Sequence, residues 1–106
     1  HQAELLNSVL NNSINGIMAY EAVRNKEGQI VDFVFVQSND AGYRIAGRSP
    51  DDSLIGKRML EEYPGNKTSG LFDLYVRTTE TGEPLRTEIH YNHDGLDFWL
   101  DVSAQK

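Results

Sequence analysis

The sequence predicts an α+β domain: an antiparallel β-sheet with short helices over one face and an amphipathic helix at the N-terminus. Three observations carry this prediction. Residues 36–64 (VQSNDAGYRIAGRSPDDSLIGKRMLEEYP) pack three very short helical signals, each with its own start and stop, behind a strongly apolar strand. Helices of one turn are not stable alone and must be draped over something. Near the C-terminal end, Asp94-Gly95 sits between two alternating runs and signals a type I′ hairpin. Between them, a pattern of helical period runs through Leu71, Phe72, Tyr75, Val76 and Thr79.

Taken in order, residues 1–15 carry Leu5, Leu6, Val9, Leu10 and Ile14 as a helical stripe, with Asn and Ser on the other side. Residues 17–23 read as a strand, and the charged stretch Arg24-Asn25-Lys26-Glu27-Gly28-Gln29 as a turn. Residues 30–38 (IVDFVFVQS) form the strongest strand, β-branched and aromatic nearly throughout. Phe33 and Phe35 point one way and Val34 and Val36 the other, so both faces want cover. Asn39 caps a first helix through Tyr43 and Ile45, with Gly47 as its left-handed stop. Ser49-Pro50-Asp51-Asp52 reads as a second start, with a hydroxyl cap, Pro at the first helical position and acids at the positive dipole end. Gly56 ends that turn, and residues 57–63 make a third before Pro64 forbids continuation. Thr68 or Ser69 caps the longer helix, which Gly82 and Pro84 terminate.

The hairpin register follows from its turn. A two-residue loop pairs Tyr91 with Phe98, Ile89 with Leu100, Thr87 with Val102 and Leu85 with Ala104, all on one face. The other face carries Arg86, Glu88, His90 and Asn92 against Ser103, Asp101, Trp99 and Asp97. Glu88 facing Asp101 is unfavourable, with Arg86 diagonally close to Asp101.

Composition narrows the functional classes. A chain of 106 residues is one domain. Its apolar content of 39% is too rich for disorder. The net charge is -6 and the ten Lys and Arg are scattered, which makes nucleic acid and anionic membrane poor partners. Cysteine is absent, which excludes disulfides, thiolate chemistry and Cys-ligated metals and fits a cytoplasmic location. No apolar run reaches the ~20 residues of a membrane span. Because the first residue is His1, the chain is taken as a piece of a longer protein, which is free to be membrane-anchored.

Strand, strand, three short helices, a longer helix and a hairpin: in this order residues 14–106 closely resemble a PAS domain, the sensory module common in bacterial histidine kinases. The residues that carry the resemblance are Asn39, Ala41, Ile45 and Gly47, then Ser49-Pro50-Asp51-Asp52 and Leu54-Ile55-Gly56-Lys57. Pro64, Thr81-Gly82-Glu83-Pro84 and Trp99 also match. The resemblance implies a five-stranded antiparallel sheet with helices over one face, here with residues 16–106 as the PAS domain. It also exposes a gap, because the family's fifth strand, central in the sheet, has no counterpart after residue 104. Unpaired backbone groups in such a slot are costly, so it is expected to be closed by rearrangement, by the N-terminal segment or by a partner chain.

Convergent chemistry is sparse. His90 and His93 lie three apart on a strand and face opposite ways, which reads as two solvated histidines rather than a metal site. Asp51/Asp52 and Glu61/Glu62 are adjacent and diverge, and no Ser-His-Asp set or phosphate-binding Gly motif occurs. No catalytic or metal residues are assigned, and the domain itself is not expected to be an enzyme. Flavin-photoreceptor and coumarate-photoreceptor relatives attach their chromophores through Cys, which excludes both covalent cofactors here. Haem-binding relatives commonly use a His on the long helix, and residues 69–82 contain none, so haem is not expected.

An apolar pocket remains as the sensing site. The long helix offers Phe72, Tyr75, Val76 and Thr79, the hairpin Ile89, Tyr91, Phe98 and Leu100, and the short helices Tyr43, Ile45 and Met59. Three tyrosine hydroxyls among them are placed to orient a ligand. The same residues read equally well as a filled core. An interface is expected at Leu5, Leu6, Val9, Leu10 and Trp99, with a homodimer as the partner state. The resemblance thus implies a signal-sensing domain of a sensor histidine kinase in a two-component system. The alternative is a ligand-free interaction module of a diguanylate cyclase or transcriptional regulator.

Overall fold

The computed structural model describes residues 4–12, 14–51 and 53–106. The elements run β1 (Leu5–Asn11), β2 (Asn15–Arg24), β3 (Ile30–Ser38), α1 (Asp40–Ile45), α2 (Met59–Glu62), α3 (Gly65–Thr68), α4 (Leu71–Thr81), β4 (Leu85–His93) and β5 (Leu96–Gln105). The strands form one five-stranded sheet in the order β3-β2-β1-β5-β4, with every neighbouring pair antiparallel. Helices roof one face of it, so the α+β class holds.

The largest departure from expectation is at the N-terminus. Residues 5–11 are not the amphipathic helix their stripe predicts but a central strand, paired on one side to β2 and on the other to β5. The physical reason is the slot itself. A helix there would leave facing edges of β2 and β5 with unpaired N–H and C=O groups, whereas a strand satisfies both. Leu6 and Leu10 are four apart, a spacing that shares a face in a helix and in a strand alike, so the apolar pattern permits either. Both are buried, while Leu5 and Val9 stay exposed on the far face. The N-terminal segment therefore belongs to the sheet, and it fills the slot that the sequence left open.

The rest follows its local signals more closely. Asn39 caps α1 by accepting the Gly42 N–H at 2.7 Å, and Gly47, with φ at +76°, ends it. Ser49-Pro50-Asp51 forms turns rather than a second helix, and Asp52 lies outside the described residues. The third predicted short helix, α2, ends before Pro64 as expected, with Tyr63 out of helical conformation, but Pro64 is also the start of another turn. Its own backbone is right-handed helical and starts α3, a turn the sequence reading did not separate. Leu71 N–H bonds to the Ser69 hydroxyl at 3.3 Å at the head of α4, and Gly82 closes its end with φ at +78°. The β4–β5 register is the predicted one, residue for residue, around Asp94 and Gly95 at φ of 58° and 81°. The edge of β3 is covered by the loop before α2, through Phe35 N–H to Lys57 O at 3.0 Å and Gly56 N–H to Phe35 O at 2.8 Å.

Candidate functional site

Alternation along the strands decides what meets beneath the roof. Leu10 of β1, Met18 and Tyr20 of β2, Phe35 of β3 and Tyr91, Phe98 and Leu100 of the hairpin project to the helical side. From above come Ile45 and Ala46 at the end of α1, Met59 of α2, Tyr63, Asn66 of α3, and Leu71 and Tyr75 of α4. Together with Leu96 they line a partly open cavity of about 50 Å³. That is room for about three to five water-sized groups, well below the ~300 Å³ at which drug-sized ligand pockets begin. The aromatic rings meet edge-on or tilted: Tyr20 to Phe35 at 5.3 Å, Tyr20 to Tyr75 at 5.6 Å and Phe35 to Tyr63 at 6.2 Å between centroids.

Every buried side-chain N or O among the described residues has a partner. Tyr75 OH shares a 2.8 Å hydrogen bond with Ser8 Oγ, the buried hydroxyl at the centre of β1. Tyr20 OH donates to Met18 Sδ at 3.3 Å. Asn66 Nδ2 donates to Tyr63 O at 3.1 Å and to Tyr91 OH at 3.5 Å, and Tyr91 OH in turn donates to the Asp94 carboxylate. The same carboxylate accepts the Gly65 N–H at 3.1 Å. A Cβ at Gly65 would run into the His93 side chain, so only glycine lets α3 sit against the hairpin tip. A continuous polar path thus runs from the cavity to the turn. Burial pushes the Tyr75 phenol up to about 12 and raises Tyr20 well above its ordinary value. Tyr91 is raised by burial and by its bond to Asp94.

Of the residues proposed for the pocket, Ile45, Met59, Tyr75, Tyr91, Phe98 and Leu100 line the cavity. Tyr43 and Phe72 are buried beside it instead, Phe72 edge-on to Phe33 at 5.8 Å. Thr79 donates its hydroxyl back to Tyr75 O at 2.9 Å, and Val76 and Ile89 are half-buried against the core. The reading missed Met18, Tyr20, Phe35, Ala46, Tyr63, Asn66, Leu71 and Leu96, and placed Leu10 at the interface rather than on the cavity wall. Alternation along β2 would have grouped Met18 with Tyr20, but nothing in their own strand says which face is covered. The expected interface divides: Leu6 and Leu10 are core residues, the latter on the cavity wall, and only Leu5, Val9 and Trp99 are exposed. His90 stacks on Trp99 at 4.9 Å and bonds Asp97 at 2.6 Å, with His93 on the opposite side of β4.

At the other end of the roof, Arg24 bridges Glu4 at 2.7 Å and also bonds Glu80, joining the start of β1 to the end of α4 through β2. The guanidinium holds both carboxyls below their usual range. Compared with protein-family models, with curated proteins and with solved structures, the chain matches none of them. No helix among the described residues is long and apolar enough to cross a membrane.

Proposed function

We propose that this chain is a sensory and relay module, resembling a PAS domain, of a larger signalling protein, with a sensor histidine kinase as the parent. The observation that carries the reading is the cavity between sheet and short helices: mostly apolar walls that also take in Asn66, Tyr75 and Tyr91, whose polar atoms are hydrogen-bonded to Tyr63, Ser8 and Asp94. Its size implies a ligand of few heavy atoms, or one that enters as Met18 and Met59 change rotamer. Methionine is the side chain best suited to such adjustment. The path from Asn66 through Tyr91 to Asp94 gives occupancy a way to bias the hairpin tip. A ligand shifts the module only as far as it binds one state better than the other.

Native mass spectrometry before and after denaturation tests this. Ligand sensing predicts a mass above that of the chain, lost on denaturation, or a thermal shift with a small apolar probe such as indole. The mass of the chain alone, together with no shift by the probe, overturns it. A second reading, relay without a ligand, is favoured by the exposure of Leu5, Val9 and Trp99 on the outer sheet face, where a partner or a second copy would be engaged.

A further inference from the structure

The outer face of the sheet carries two features that a free surface does not require. Val9 and Ile17 face each other across β1 and β2, with Leu5 further along β1, and all three are exposed. On β5, Trp99 is 61% exposed despite its stacking on His90. Between these apolar groups, Glu88 and Asp101 stand directly opposite each other across β4 and β5, a like-charged pair that costs stability. Neither carboxylate has an ion-pair partner among the described residues. Both line a groove of about 300 Å³ that also takes in Val9, Asn11, Arg86, Thr87 and Ser103. By strand alternation Glu21, Glu88, Asp97 and Asp101 share this face, and Arg86 is the one Lys or Arg of these strands that does so near the groove.

We propose that this face docks a cationic amphipathic helix of a protein partner. The helix's apolar stripe covers Val9, Ile17 and Trp99, and its Lys or Arg side chains neutralise Glu88 and Asp101. Charge decides the occupant. A second copy of this chain, at net charge -6, would bring the same acids against the same acids, and an anionic membrane would be repelled. A cationic helix turns the opposed pair from a cost into a recognition element, and its cations can also stack on the exposed indole. The inference rests on reading the outer face as the relay surface and names its partner.

Trp99 is the chain's single tryptophan, so its fluorescence reports this face directly. The probe is a synthetic helix with leucines at helical spacing on one side and lysines on the other, titrated into the full chain. The expected result is a saturable blue shift that weakens with salt, lost when glutamates replace the lysines. In the Glu88→Gln/Asp101→Asn variant, which keeps shape and removes the repulsion, binding should weaken several-fold and its salt dependence should flatten. Equal shifts by the acidic helix, or no change in the variant, overturn the proposal. Concentration-dependent self-association with a Trp99 shift, and none with the lysine helix, overturns the cationic partner while leaving the relay surface standing. No response to either overturns both.

Discussion

The two faces of this sheet are built from the same strands and answer to different demands. Inward, Leu6, Tyr20, Phe33 and Val102 are buried, and the polar atoms among them are paired. Outward, one residue along in each strand, Leu5, Val9, Ile17 and Trp99 meet solvent and two carboxylates oppose each other. Packing density rules the first face, where voids and orphaned groups are expensive. The second face tolerates local cost, which is what the proposed docking would draw on. Changes to the inner face should therefore act on stability, and changes to the outer face on binding.

High pH is expected to produce the largest effect. A phenol whose folded pKa is raised above its unfolded value near 10.0 contributes stability that is complete below that value and is lost as pH rises through the folded one. Tyr75, at about 12, and the raised Tyr20 and Tyr91 should thus drive unfolding between pH 10 and 12. Circular dichroism and tyrosinate absorbance should change together; ionisation of these tyrosines with the sheet intact would break the contrast. Next, Phe33→Ala should destabilise by about 3–5 kcal/mol in denaturant melts. Trp99→Ala, although larger in side-chain volume, should stay within about 0.5 kcal/mol. Tyr75→Phe strands the Ser8 hydroxyl in the core and should cost about 1–3 kcal/mol, with part recovered in the Ser8→Ala/Tyr75→Phe double variant. The smallest effect has the opposite sign: Glu88→Gln relieves the facing charges and should stabilise by about 0.2–1 kcal/mol while impairing the cationic docking.

Legibility from sequence divides along a different line. The hairpin could be read to the residue because Asp94-Gly95 dictates a local turn, and the turn dictates the register. Asn39 and Gly47 were similarly local. The N-terminal strand was not legible, since Leu6 and Leu10 suit helix and strand equally and the deciding term, two open edges, lies at the far end of the chain. Ser49 carries a sound helix start, yet the chain there forms only turns, a tertiary override of local preference. The cavity was half visible. Tyr75, Tyr91 and Phe98 follow from alternation and helical period, whereas Asn66 shows its role only once α3 is set against the hairpin.

Placing residues 5–11 at the centre of the sheet has a consequence for assembly of the fold. Asn7 pairs with Gln105, so one of the first residues in the chain completes its ladder with one of the last. Relative contact order is thereby high, and closing so long a loop must precede the contacts that reward it. The hairpin and β2–β3 can form early, but the two halves are stitched together only when β1 arrives between them. During synthesis, the strand made first waits longest for its final neighbour, which makes it the segment most exposed to non-native pairing before the domain is complete.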